Sequence, residues 1–308
     1  GGRGDGFAGA LTRAAGAARP EAASVGSDES AMYRPEMEWL ADALHRRGLP
    51  CQAVAPAALR VEETGVTAGG ARLDVVYRFF ELFDLAGVPG GEALLEAAKL
   101  KRVRVTPPPK AFLEEKVLFA LLHHPALTPW WEAELGERTL GELRALVVPT
   151  WLLDPAPVPP HAAIAGFAPG GRAVQSWDAL AAFSQKERAY VIKPSGFAED
   201  AWGSHGVRFG SDLSQEDWTK EVRAALDAFP ARPRVLQPYA KPARVRVGWY
   251  DPAADAVREF EGRARLCPYY FVTGESETAL GGVLATICPA DKKAIHGMPD
   301  AVMAPAAD

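Results

Sequence analysis

The segment ERAYVIKPSGFAEDAWGSHGVRFG, residues 187–210, is the most informative part of this sequence. Its first half predicts a strand that carries Lys193, and its last residues predict a second strand. The loop between them contains Gly196, Gly203 and Gly206. A lysine within a strand faces a buried or half-buried surface at a desolvation cost, so Lys193 needs an anionic partner.

The glycines of this loop let backbone N–H groups approach phosphate oxygens, and Ser204 or His205 can add donors. Lysine and loop together predict a triphosphate-binding site. The alternative is a plain turn beside a lysine whose ammonium reaches solvent. The loop matches neither the G-x-x-x-x-G-K-[ST] string of P-loop proteins nor the dinucleotide fingerprint.

Composition narrows the remaining classes of function. The chain has 308 residues, 48% of them hydrophobic, which is enough for two or three packed layers. Its 34 Lys plus Arg against 39 Asp plus Glu give a net charge of -5, so no nucleic acid partner is expected. The cysteines number three and are far apart, which favours a reducing cytoplasm. No apolar run reaches the roughly 18 residues of a membrane span.

The first part of the chain predicts a small α/β domain. ESAMYRPEMEWLADALHRRGLP (29–50) has helical apolar spacing, and Leu73 to Phe80 read as a β-branched and aromatic strand. Residues 1–21 are expected to be a frayed or truncated start. This first domain is predicted to span residues 22–105.

The last part predicts a helix and an antiparallel sheet. SQEDWTKEVRAALDAFP (214–230) is amphipathic, and three strands follow it. Before these elements, AFLEEKVLFALLHHPAL (111–127) predicts one continuous helix. Residues 106–308 are therefore expected to form a second domain, with a glycine-rich lid at about 186–240.

The string YVIKPSGFAEDAWGSHGV, followed by VLQPYA (235–240), resembles the nucleotide-binding half of the ATP-grasp superfamily. RLDVVYRFFELFDL (72–85), with the Gly87-Val88-Pro89 turn and FLEEKVLFALL, looks like the pre-ATP-grasp domain of the glutathionylspermidine synthase-like and circularly permuted ATP-grasp groups. The resemblance implies an α/β (α+β) fold in which two sheets clamp a nucleotide, preceded by a small pre-ATP-grasp α/β domain.

The resemblance also implies roles for individual residues. Lys193 would touch α- or β-phosphate oxygens, and Lys116 would be the second nucleotide lysine. The lid residues would be Ser195, Gly203, Ser204, His205 and Gly206, and the adenine hinge would be Gln237, Pro238 and Tyr239. Lys116 can instead be a solvated helix charge, and Gln237 a sheet-edge amide.

Members of this superfamily use ATP and Mg²⁺, and most place an E-x-N string late in the fold. No such string follows the hinge here. Glu261 is the first choice for a metal ligand and Asp251 a further candidate, because Mg²⁺ prefers carboxylate oxygens. A strand acid such as Glu261 is otherwise a cross-strand ion-pair partner.

Paired arginines suggest a further anion contact. Arg263 and Arg265 are two residues apart, hence on one strand face, and can present guanidinium groups to a phosphate or a developing acyl phosphate. Arg244 and Arg246 repeat that spacing, although such pairs also occur as surface charge. In the resemblance Arg78 faces the cleft and meets the substrate acid; otherwise it forms an interdomain salt bridge.

The activity implied by the resemblance is ATP- and Mg²⁺-dependent ligation of a carboxylate to an amine or a thiol through an acyl phosphate, on small-molecule or peptide-like substrates. The alternative is a catalytically altered nucleotide-binding or scaffold protein. The sequence names neither the acid nor the amine, and it leaves the oligomeric state open.

Overall fold

The computed structural model of this chain describes residues 3–196, 200–201, 205–272, 277–296 and 300–306. The fold class is mixed α/β with several sheets, as predicted. The helices are α1 (Arg3–Ala15), α2 (Arg34–Arg46), α3 (Gly91–Lys99), α4 (Val117–His123), α5 (Thr128–Leu135), α6 (Glu137–Leu146) and α7 (Gln215–Asp227). The strands are β1 (Ala22–Gly26), β2 (Cys51–Val54), β3 (Leu59–Glu62), β4 (Gly65–Ala68), β5 (Ala71–Arg72), β6 (Val75–Phe79), β7 (Arg104–Thr106), β8 (Trp151–Leu152), β9 (Tyr190–Pro194), β10 (Arg208–Phe209), β11 (Arg234–Pro238), β12 (Arg244–Asp251), β13 (Ala256–Val272), β14 (Thr278–Pro289) and β15 (Val302–Pro305).

The chain divides into two compact units. The first consists of Gly1–Pro109 and Pro242–Asp308, and the second of Lys110–Lys241. The predicted domains are residues 22–105 and 106–308, whereas in the structure the last 67 residues, assigned to the predicted second domain, cluster with the first unit. Among the helices of the described residues, none is both long and apolar enough to cross a membrane.

The first unit contains a parallel sheet with strand order β2-β1-β6-β7. Helices α1 and α2 cover one face, where Leu11 and Leu44 pack on Ala22 and Val75. Helix α3 and strand β4 cover the other. Because both faces of the sheet are covered, the central strand β1 is buried at four consecutive positions instead of alternating.

Residues 3–15 differ from the expectation of a frayed start. They form α1, and the side chain of Leu11 is only 2% exposed. Phe7 lies against Phe271 of β13, with ring centroids 5.4 Å apart. This packing of α1 on a late strand gives a physical reason why 242–308 belongs to the first unit.

The first unit also contains a four-stranded antiparallel sheet with the order β12-β13-β14-β15. Its first three strands are those predicted from the sequence. Much of β12 and β13 is exposed. The short strands β3, β4 and β5 make a separate antiparallel sheet.

The second unit is built on an antiparallel sheet with the order β10-β9-β11-β8. One face carries Ile192 and Leu236, which belong to a core with Trp218 of α7. Helix α7 begins after Ser214, whose hydroxyl accepts a hydrogen bond from the N–H of Asp217. The amphipathic pattern predicted for this helix is confirmed, because the apolar residues on one face are buried: Trp218, Val222, Ala225 and Leu226.

Candidate functional site

Lys193 lies on β9 with its side chain half-buried. Its Nζ donates a hydrogen bond to Oε1 of Gln237 on β11, at 2.8 Å. Burial lowers the pKa of Lys193, and the nearby Lys116 ammonium lowers it further. The acceptor is an uncharged amide and not a carboxylate, so this contact leaves the positive charge of Lys193 unneutralised.

The Gln237 side chain connects three neighbouring strands. It is 8% exposed. Its Nε2 donates to Oγ1 of Thr150, which precedes β8, at 2.8 Å. Lys193 and Gln237 lie on the same sheet face, because Lys193 is opposite Val235, two residues before Gln237. The predicted hinge residue thus has both polar ends of its side chain engaged within the protein.

Ser195 joins the end of β9 to the segment before α4. The residue is fully buried. Its carbonyl oxygen accepts from the backbone N–H of Lys116 at 3.0 Å and from Lys116 Nζ at 3.2 Å. Its hydroxyl accepts from the N–H of Val117 at 2.9 Å and donates to the Glu115 carboxylate. Lys116 is thus anchored at the end of the strand that carries Lys193, and the nucleotide roles of both lysines remain predictions.

The same contacts explain a difference from the predicted helix over 111–127. The structure has a 3₁₀ turn at Ala111–Glu114, and α4 begins only at Val117. The N–H groups of Lys116 and Val117 donate to Ser195 instead of to carbonyls one helical turn earlier. Tertiary hydrogen bonds thus interrupt a segment whose sequence favours one helix.

The loop after β9 is anchored at its second half. Gly206 N–H donates to the carbonyl of Asp200 at 2.8 Å, and a Cβ at position 206 would lie 2.6 Å from that oxygen. Asp200 pairs with Arg234 at 2.8 Å. His205 is exposed, and its carbonyl accepts from Arg208. The predicted lid residues Gly203 and Ser204 lie outside the described residues.

The remaining hinge residues are half-buried at the end of β11. Pro238 is opposite Tyr190 in the sheet register. The backbone N–H of Tyr239 donates to Ala189 O at 2.9 Å, and its ring meets Phe209 edge-on with centroids 5.5 Å apart. Neither Pro238, which lacks an N–H, nor Tyr239 offers an unused backbone donor to a base, and their adenine role remains a prediction.

The two carboxylates predicted as metal ligands are not brought together. Glu261 is exposed and pairs with Arg244 of β12 at 3.3 Å. Asp251 pairs with Arg258 at 2.7 Å and accepts from backbone N–H groups of its turn. Since Asp251 is opposite Ala256, the two acids are five ladder positions apart, about 16 Å. Glu261 therefore forms a cross-strand ion pair, which was the alternative to a role as a metal ligand.

The arginines of the late strands share one sheet face. Arg244 lies opposite Arg263, and Arg265 lies opposite Thr286. Arg263 is half-buried, whereas Arg265 is exposed. Thr286 is fully buried. Arg263 and Arg265 thus share a strand face as expected, on a strand that clusters with the first unit, and Glu261 lies on the same face.

Arg78 lies inside the first unit and is 8% exposed. Its Nη1 donates to the carbonyl oxygen of Phe80, and its guanidinium lies over the Phe80 ring, 5.7 Å from the centroid. A contact with a substrate acid, implied by the resemblance, remains a prediction. The observed role of Arg78 is to hold the chain just after β6.

Sequence reasoning missed Glu115 and Thr150. Glu115 is adjacent to the predicted Lys116, which was a usable signal, but nothing near Thr150 in the sequence marks it.

The string GDGFAG (4–9), which has the spacing of the dinucleotide fingerprint, was also passed over. It lies within α1 and not at a strand-to-helix turn, so it lacks the context of a dinucleotide site.

No protein-family model matches this chain, and no curated protein sequence matches it. Among solved structures, it is similar to the D-alanyl-alanine synthetase A from Vibrio cholerae O1 biovar eltor str. N16961, with 11% identity and a TM-score of 0.37 over 89% of this chain and 68% of that chain. It is also similar to the D-cycloserine synthetase DcsG, with 20% identity and a TM-score of 0.35 over 75% of this chain. The match spans 64% of that synthetase, which is less than two thirds of its length.

Proposed function

We propose that this chain binds ATP, with the triphosphate held by Lys193 and Lys116, and belongs to the ATP-grasp superfamily. The observation that carries the proposal is that the Lys116 ammonium, held on the Ser195 carbonyl, lies near enough to the Lys193 ammonium, held on Gln237, to act on its charge. Burial first, and then repulsion by the Lys116 ammonium, lower the pKa of Lys193, so its protonated form is disfavoured without an anionic partner. A bound polyphosphate would relieve that repulsion and satisfy the charge of Lys193.

We further propose that the bound nucleotide serves an ATP-dependent ligase. The γ-phosphoryl group of ATP would pass to a substrate carboxylate with release of ADP, and an amine or a thiol would attack the resulting acyl phosphate and expel inorganic phosphate. In this chain Lys193 and Lys116 would orient the phosphates. Arg263 and Arg265, which share one face of β13, would contact an anionic group of the substrate. The substrates would be small molecules or peptide-like acids and amines.

Magnesium fits the described residues less well than ATP does. Within the described ranges, no group of three or more His, Cys, Asp or Glu side chains is arranged to hold a metal ion. Asp251 and Glu261 are apart, and each is paired with an arginine. This separation favours the second candidate function, a nucleotide-binding protein without ligase chemistry.

Titration of the protein with ATP, followed by isothermal calorimetry, tests the binding proposal, and ADP release with panels of carboxylic acids, amines and thiols tests the reaction. Saturable ATP binding together with acid- and amine-dependent ADP release supports the ligase. Binding without any stimulated ADP release supports the nucleotide-binding alternative. Absence of ATP binding overturns both.

A further inference from the structure

A chain of hydrogen bonds, buried at its Gln237–Thr150 link, runs away from Lys193 across the sheet of the second unit. Lys193 Nζ donates to Gln237 Oε1, and Gln237 Nε2 donates to Thr150 Oγ1, each at 2.8 Å. Thr150 Oγ1 donates to the carbonyl oxygen of Val148, also at 2.8 Å. Thr150 is 1% exposed, so the far end of the chain is shielded from water.

The direction of every bond in this chain follows from its far end. The carbonyl of Val148 can only accept, so the single hydroxyl proton of Thr150 is committed to it. Thr150 Oγ1 must then accept from its other neighbour, and only the NH₂ end of the Gln237 amide can donate. Oε1 is left at the opposite end, facing Lys193. The amide orientation thus follows from its partners.

We infer that Thr150 is a positioning residue, whose hydroxyl orients the Gln237 amide so that its oxygen and not its NH₂ group faces the Lys193 ammonium. This inference rests on the proposed function and extends it. An amide oxygen favours the protonated lysine without neutralising it, whereas a carboxylate would form an ion pair. The arrangement suits a polyanionic ligand, because the ammonium is both held in place and still in need of negative charge.

The other charged groups near Lys193 do not take over the role of the Gln237 oxygen, which is to favour the protonated lysine. Lys116 and Glu115 come from the segment before α4, and Lys116 disfavours the protonated form of Lys193. Glu115 is hydrogen-bonded to the hydroxyl of Ser195. The Arg234–Asp200 pair belongs to the opposite sheet face, because Arg234 is opposite Pro194 and not Lys193. The amide oxygen is the uncharged group that favours protonated Lys193.

The test compares Thr150→Val, which removes the hydroxyl at nearly constant volume, with Thr150→Ser, which keeps it. Acetylation of Lys193 as a function of pH, followed by mass spectrometry, measures its protonation without any nucleotide. With valine, NH₂ loses its partner and the amide can turn when the lysine is neutral. The proton affinity of Lys193 is expected to fall about fivefold, the effect of one hydrogen bond. Serine is expected to stay within about twofold of the natural protein.

The ATP dissociation constant is measured in parallel, together with the thermal unfolding midpoint. Positioning by Thr150 predicts about fivefold weaker ATP binding in Thr150→Val at a temperature where the variant is folded, with recovery in Thr150→Ser. A lower unfolding midpoint with unchanged Lys193 protonation means that Thr150 is merely structural and overturns the inference. Should Thr150→Val not fold, Thr150→Cys, which weakens both hydrogen bonds, is expected to shift Lys193 protonation in the same direction; no shift overturns the inference.

The two proposals fail in distinguishable ways. If the natural protein does not bind ATP but Thr150→Val lowers the proton affinity of Lys193, the proposed function is wrong and the positioning role stands. If ATP binds and the protonation of Lys193 is the same in all variants, the positioning role is wrong and the nucleotide site stands.

Discussion

Two sheets of this chain carry charged side chains in contrasting ways. On β9, Lys193 is half-buried and its ammonium donates to a neutral amide. On β12 and β13, Arg244 and Glu261 are 53% and 56% exposed and pair with each other. An exposed pair compensates its own charges and adds little stability. A half-buried charge with a neutral partner is not compensated within the protein, so location and partner, not residue type, distinguish a candidate site from surface charge.

The largest difference between the two sheets is expected in how much a tryptophan packed on each one contributes to the free energy of unfolding. Trp218 is fully buried beneath the second-unit sheet, whereas Trp249 on β12 is 39% exposed. Trp218→Ala should lower the free energy of unfolding by about 3–5 kcal/mol, because it leaves a cavity and removes the hydrogen bond to Leu180 O. Trp249→Ala should cost about 1 kcal/mol or less. Urea denaturation measures both, and equal losses would contradict the contrast.

The next largest effect is expected on ligand affinity. Lys193→Met should weaken ATP binding about 100-fold, since it removes a desolvated charge-assisted contact. Lys186→Met is the matched control, because Lys186 is an exposed lysine of the same unit. Calorimetric titration compares the two variants. Unchanged affinity in Lys193→Met, or an equal loss in the control, removes the phosphate role of Lys193.

The pH dependence of binding should show a smaller, graded effect. Because burial and Lys116 lower the pKa of Lys193 from 10.5, its charge is lost earlier than that of an exposed lysine as the pH rises. ATP affinity should then fall by up to about tenfold per pH unit above the lowered pKa. Lys193→Arg, which stays charged to about pH 12, should lose this dependence.

The free energy of unfolding should rise with pH near the lowered pKa of Lys193, whereas the ATP affinity should fall. Between the lowered folded-state pKa of Lys193 and the ordinary value, the unfolded chain binds more protons than the folded one. The free energy of unfolding therefore rises with pH in that window. Denaturation at several pH values, with Lys193→Met as the reference, isolates this contribution; a fall with pH in the difference would contradict the pKa direction.

The smallest effect is expected at the exposed pair. Glu261→Gln removes one exposed ion pair and should change the free energy of unfolding by about 0.5 kcal/mol or less. If Glu261 is only a partner of Arg244, the magnesium dependence of any ADP release should be unaltered. Loss of that dependence in Glu261→Gln, with unchanged stability, would restore Glu261 as a metal ligand.

Several elements could be predicted because their information is local. A short β-branched run marks the strand of Lys193, helical spacing marks the buried face of α7, and the late strands pair in chain order as an antiparallel sheet. The position of α4 could not be predicted in this way. The sequence 111–127 favours one helix, but Ser195, distant in sequence, takes the N–H groups of Lys116 and Val117.

The sequence by itself determined which residue types stand where: a lysine within a strand, glycines after it, and arginines at alternate positions of a later strand. The tertiary structure alone decided which of these act together. It joined Lys193 to Gln237 and Thr150, held Lys116 at Ser195, and kept Asp251 away from Glu261. The physical reason is that periodicity reports local burial, whereas the partner of a polar group depends on contacts between residues far apart in the chain.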